Sequence, residues 1–220
     1  MRHLNYHWYM IPMLLSAIFS LRSLGLRWPK PFKIISIFLL VTLIIEVFAI
    51  AWEWKLHKYW HYNGYNLWIY NIAVPIRYTL LWLFFYQIME SDIIKSLIRW
   101  FIIFFIILAF IDYAFIQMPN NANTISLITA NIITVLVSLS FFRQLLQSPR
   151  ITRLTSNPLV WISLGVFIYH SGSLPFFISL NYIIVDPVRR TSFLHINQAL
   201  NIIMYSLFLI AFLCKPYPRK

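Results

Sequence analysis

The sequence predicts an all-α, polytopic membrane fold: a bundle of seven transmembrane helices forming a single domain over residues 1–220. Three observations carry that prediction. Seven apolar stretches, each about long enough to cross a bilayer, occupy nearly all of the 220 residues. Hydrophobic residues make up 60% of the chain and charged residues only 11%, with a mean hydropathy of +0.72, whereas a soluble domain is roughly a quarter charged. The 18 Lys and Arg, against 6 Asp and Glu, lie at the ends of the apolar runs. There they act as topology signals, so the basic balance does not make nucleic acid a partner. The partner it does imply is the lipid bilayer.

Taken in order, the spans cover about 8–25, 33–54, 66–89, 95–117, 122–145, 158–183 and 193–214, each above the roughly 17 residues a helix needs to cross the hydrocarbon. The first could pass for a secretory signal. It lacks a small-residue cleavage site, however, and is followed by Arg22, Arg27, Lys30 and Lys33, a stop-transfer pattern, so it is read as a retained span. The breaks are chemically defined: Pro29 and Pro31 among basic residues, Lys58 to Gly64, then Glu90, Ser91 and Asp92, then Pro119 with Asn120 and Asn121, then Pro149 and Arg150, and finally Asp186, Pro187, Arg189 and Arg190. None is long enough for a second domain. No internal repeat is visible, which speaks against an inverted-repeat transporter. The single cysteine, Cys214, excludes an internal disulfide and a cysteine-based metal or iron–sulfur site.

Orientation follows from the basic residues. Arg22, Arg27, Lys30, Lys33, Lys95, Arg99, Arg143, Arg150, Arg153, Lys215, Arg219 and Lys220 fall on one side, and Arg2, Lys55, Lys58, Arg189 and Arg190 on the other. The positive-inside rule places the N-terminus outside and the C-terminus in the cytoplasm, in a bacterial inner membrane. Trp8, Trp52, Trp54, Trp60 and Trp68 then sit near the outer boundary, and Trp28 and Trp100 near the inner one, as interfacial belts.

Few charges lie inside the spans, and each costs several kcal/mol if left unpaired. Glu46 and Arg77 lie about eight and eleven residues from the outer ends of spans two and three. At 1.5 Å per residue their depths differ by about 5 Å, which an arginine side chain bridges. An ion pair between these antiparallel neighbours is the economical arrangement, serving either helix register or ligand contact. Asp112, in the outer third of span four, has no sequence-local partner; it pairs with Arg77 or stays protonated. His170 lies near mid-depth in span six, five residues before Pro175, which removes a backbone donor and should kink or loosen the helix there. Pro75 should bend span three in the same way.

Asn66, Asn71, Asn121, Asn123, Asn131, Asn181, His195, Asn197 and Asn201 lie mostly at the same outer depth, with Asn197 and Asn201 on one helix face. Together they predict an outward-facing polar pocket between spans two, three, six and seven. The candidate ligand-binding residues are Glu46, Arg77, His170, Asn71, Asp112, Asn197 and Asn201. The pairs His3 with His7 and His57 with His61 have a spacing that can bind a transition metal, but lack the glutamate of a zinc protease helix and read as interfacial. Bis-histidine haem ligation needs facing histidines at depth, and only His170 qualifies. No cofactor is implied, and no residue is assigned a catalytic or metal-ligating role.

Seven spans with an external N-terminus are similar to rhodopsins and receptors coupled to G proteins. A retinal Schiff base needs a lysine within span seven, whereas Lys215 lies at its cytoplasmic end. The segments NIAVPIRY at 71–78, WISLGVFIYHSGSLPFF at 161–177 and HINQALNII at 195–203 resemble a group of seven-span bacterial membrane proteins and the seven-span input modules of some bacterial histidine kinases. That resemblance implies a sensor or small-ligand-binding module for a small or amphipathic ligand. With only six residues after Cys214 there is no kinase domain, so any output would pass through a membrane signalling partner or a homo-oligomer. The alternatives are a small-solute transporter or channel, a lipid-modifying enzyme using Asp112 or His170 as acid or base, and a structural subunit. Neither paired carboxylates nor a nucleophile motif supports the enzyme, and the apolar cytoplasmic halves of spans four, five and seven disfavour an open path.

Overall fold

The computed structural model describes residues 7–25, 28–52, 67–116, 124–147, 154–183 and 187–214. Among these residues seven α-helices follow one another: α1 Met10–Ser20, α2 Lys30–Ala51, α3 Leu67–Ile88, α4 Asp92–Ile111, α5 Thr124–Gln147, α6 Pro158–Ile183 and α7 Pro187–Leu213. Six are long and apolar enough to cross a membrane, α4 with its π-helical continuation. The chain is a multi-pass helical membrane protein. The first span corrects its expected length. α1 has 11 residues and continues only through the 3₁₀ turn Leu21–Leu24 before Gly25 turns extended. Helical rise gives that unit about 25 Å, short of the roughly 30 Å hydrocarbon core.

Capping chemistry, more than hydropathy, sets where the helices begin. Pro31 occupies the first turn of α2, so that helix starts at Lys30 and takes in Lys33, which the expected span only reached. The Ser91 side chain accepts a hydrogen bond from the Ile94 amide, moving the start of α4 back to Asp92, ahead of the expected Lys95. Asn157 caps α6 through the Leu159 amide at 3.0 Å, with Pro158 at its first position. Pro187 likewise opens α7, six residues ahead of the expected boundary. Long basic side chains tolerate these ends because their stems lie along apolar surface while the charge reaches water.

Neighbours in sequence pack side by side, and α1 closes the ring against α7. α1, α3, α5 and α7 start at one end of the bundle, called here the Tyr9 end; the opposite one is the Cys214 end. α6 and α7 approach most closely. A Cβ added at Gly165 would lie 3.2 Å from the Met204 carbonyl oxygen and 3.3 Å from Leu207 Cβ. α4 stands outermost, with Ile93, Trp100, Phe104, Phe110 and Phe115 all more than half exposed. The polarity of a soluble protein is thus inverted. Apolar side chains face outward, as lipid requires, while Ser16, Ser20, Ser36, Asn131, Thr134, Ser138 and Ser173 are fully buried.

Aromatic packing fills the Cys214 half. Phe32, Trp82, Phe84, Phe85, Phe208 and Phe212 are all at most 5% exposed, and Phe32 meets Phe212 edge-on with ring centroids 6.5 Å apart. Trp82 Nε1 donates to Thr134 Oγ1 here, and further polar ties hold the helix ends. Ser23 and Ser36 join α1's end to α2, with Ser36 donating to the Ser20 carbonyl. Gln144 of α5 accepts from the Glu90 amide and donates to the Ile88 carbonyl, capping the end of α3. α3 and α6 remain hydrogen-bonded helix through Pro75 and Pro175. Each proline thus withholds one backbone donor from the preceding turn without ending its helix.

Candidate functional site

The polar interior of the Tyr9 half is built from two linked clusters. The first surrounds Glu46. Its Oε1 lies 3.5 Å from an Arg77 guanidinium nitrogen, so the ion pair expected from matching depth is formed between α2 and α3. Its Oε2 accepts from the hydroxyls of Tyr9 at 2.8 Å and Tyr70 at 3.0 Å. Both carboxylate oxygens are engaged, and one acidic side chain joins α1, α2 and α3. Arg77 also lies close to the Tyr205 hydroxyl across the bundle on α7. Its carboxylate contact is single and long compared with the 2.7–2.9 Å of a strong charge-assisted bond. A fifth of the Arg77 side chain remains exposed, although it stands at the eleventh of the 22 residues of α3. Of the two charged partners, Glu46 is saturated and Arg77 is not.

The second cluster turns on Asn131 of α5. Its Nδ2 donates to the Leu127 carbonyl at 2.7 Å and to the Tyr78 hydroxyl at 2.9 Å. Its Oδ1 receives Ser173 Oγ at 3.1 Å and lies 2.8 Å from His170 Nδ1. All four capacities of the amide are used, tying α5 to α3 and α6. Tyr78 adds a tilted ring contact with His170, centroids 5.4 Å apart. Because Tyr78 follows Arg77 in sequence, the clusters are contiguous. Arg77 lies within electrostatic reach of both Tyr169 and His170.

The remaining expected residues divide. Asn201 joins the site: it lies close to the Tyr169 hydroxyl and donates to the Asn197 carbonyl at 2.9 Å. Asn197 lies one turn nearer the Tyr9 end, its Oδ1 buried and without a hydrogen-bond partner among the described residues. Asn71 is buried on α3, two turns before Tyr78. Asp112 goes elsewhere. Instead of meeting Arg77, its Oδ2 accepts from the Ser126 amide at 2.9 Å and the Ser126 hydroxyl at 2.6 Å. It caps the first turn of α5 from the neighbouring helix, where the helix dipole favours a carboxylate. His3, His57, His61, Asn66, Asn121 and Asn123 lie outside the described residues, and no side chain is described for Asn181.

Sequence reasoning missed the tyrosines. Tyr9, Tyr70, Tyr78, Tyr169 and Tyr205 supply the hydroxyls and ring faces around both charged groups, yet aromatic residues in an apolar span read as core or interfacial belt. A signal existed on α7, where Asn197, Asn201 and Tyr205 recur every four residues on one face. Compared with known proteins, the chain matches no family model, no curated protein and no solved structure.

Proposed function

We propose that this chain is a sensor or small-ligand-binding module of a bacterial inner membrane, with its Tyr9 end outside. Its polar site there would receive a small or amphipathic ligand and signal through a membrane partner or a homo-oligomer. The observation that carries the reading is Arg77. A guanidinium at mid-span with one long carboxylate contact and a fifth of its side chain exposed has donors to offer, and intramembrane charges are costly enough to mark function. The resemblance of segments 71–78, 161–177 and 195–203 to seven-span kinase input modules points the same way, and those segments contribute Arg77, His170 and Asn201 to the site. The closed aromatic packing of the Cys214 half, with Trp82, Phe85 and Phe208 fully buried, favours a binding module over a through-path.

The test is a thermal-stability screen of purified protein in detergent micelles against a library of water-soluble metabolites and amphipathic lipids. Ligands of this site raise the melting temperature of the wild type by several degrees and of Arg77→Gln by much less. If no compound in the library stabilises the wild type in an Arg77-dependent manner, the reading fails.

A further inference from the structure

The hydrogen-bond pattern around Asn131 fixes more than the fold. The Leu127 carbonyl can only accept, so the amide nitrogen of Asn131 must face it and Oδ1 must face His170. Ser173 Oγ, 3.1 Å from that same Oδ1, then acts as a donor to it. An oxygen acceptor 2.8 Å from Nδ1 requires the ring proton there, which leaves the lone pair of the neutral imidazole on Nε2. Nε2 makes no hydrogen bond among the described residues. One turn toward the Tyr9 end from Asn201, the buried Asn197 Oδ1 is a second acceptor without a donor among the described residues. Arg77, with one long carboxylate contact, lies within electrostatic reach of His170. The apo site is therefore complementary to something that is itself anionic at one point and a hydrogen-bond donor at another.

We infer that the ligand is an organic acid carrying a hydroxyl or amide N–H near its anionic group, the acid on Arg77 and the donor on His170 Nε2. This rests on the ligand-binding reading above and names its chemical class. A site built to hydrogen-bond a hydroxyl discriminates against the analogue that lacks it, because the acceptor is left buried and unpaired.

Matched acids test it: 3-hydroxybutyrate against butyrate for a water-borne ligand, and 3-hydroxydecanoate against decanoate for one drawn from the bilayer, by calorimetry on the full chain in lipid nanodiscs. In whichever pair binds, the hydroxy acid should bind about tenfold more tightly. His170→Asn places an amide nitrogen where Nδ1 stood and nothing where Nε2 stood, preserving the bond to Asn131. It should lower affinity for the hydroxy acid to that of the plain acid and leave the plain acid unchanged. Arg77→Gln should weaken both acids. Equal binding of the two acids to wild type, or an undiminished hydroxyl preference in His170→Asn, overturns the inference while Arg77-dependent binding leaves the sensor reading standing. If neither pair binds but the library yields another Arg77-dependent ligand, the inference alone is overturned; if the library also yields none, both are.

Discussion

Replacing Asn131 by Ala should remove the strongest polar tie between α3, α5 and α6. Of the four hydrogen bonds that Asn131 makes, the one to Leu127 stays within its own helix, and the other three reach Tyr78 on α3 and His170 and Ser173 on α6. Interhelical hydrogen bonds in membrane proteins average about 0.6 kcal/mol and reach about 1.7 kcal/mol. Three of them predict a loss of about 2 kcal/mol, rising to about 5 kcal/mol if each lies at the upper end. Ser173 can turn to the His170 carbonyl, 3.4 Å away, which holds the expectation near the lower figure. His170 Nδ1 has no such alternative among the described residues.

The internal control is Thr134→Ala, one turn further along the same helix. Thr134 Oγ1 accepts a single interhelical bond, from Trp82 Nε1 at 2.9 Å, and donates to its own helix at Ala130. Its loss should cost about 0.6 kcal/mol. Reversible unfolding by dodecyl sulfate in mixed micelles, followed by tryptophan fluorescence, measures both against wild type. A cost for Asn131→Ala no larger than that for Thr134→Ala would refute the idea that Asn131 is the hub of the polar interior.

Three further outcomes follow from the same geometry. Glu46→Gln leaves Arg77 with neutral partners, and because Arg77 is partly exposed the expected cost is about 2 kcal/mol, between buried and surface ion pairs; adding Arg77→Gln should recover part of it in the unfolding titration, and strict additivity of the two would count against the pair. Gly165→Ala puts a methyl 3.2 Å from the Met204 carbonyl oxygen and should cost about 1–3 kcal/mol, whereas Gly172→Ala meets only the flexible end of Leu200 at 2.8 Å and should cost less than about 1 kcal/mol; equal costs would mean that α6 and α7 are not held at backbone contact. Asp112→Ala should cost about 1 kcal/mol and speed amide hydrogen exchange selectively at Ser126, and an unchanged Ser126 rate would remove the capping role.

What was legible in the sequence and what was not separates along a physical line. Hydropathy locates a helix along the chain, and counting residues from the span ends locates a charge in depth, so the seven helices and the Glu46 to Arg77 pair could both be read in advance. Neither quantity reports rotation about the helix axis. α2 and α3 are apolar nearly all round, so nothing in their pattern says that Tyr70 faces Glu46 or that Tyr78 faces Asn131. Those contacts depend on which helices become neighbours. Asp112 was misplaced for the same reason: its depth matches Arg77 well enough, but α4 stands at the rim of the bundle, beside the start of α5 and away from the interior. The length of α1 was misjudged because apolar composition counts Leu21 and Leu24 as span whether the turn is α or 3₁₀. Tyrosine escaped notice because its ring satisfies the hydropathy pattern while its hydroxyl satisfies the charges. In a bundle with so few ionisable groups that dual character has a consequence: phenols can solvate Glu46 and Arg77 without adding charge. The Glu46 to Arg77 cluster can therefore stay polar and neutral overall, and an incoming ligand's own charge would unbalance it.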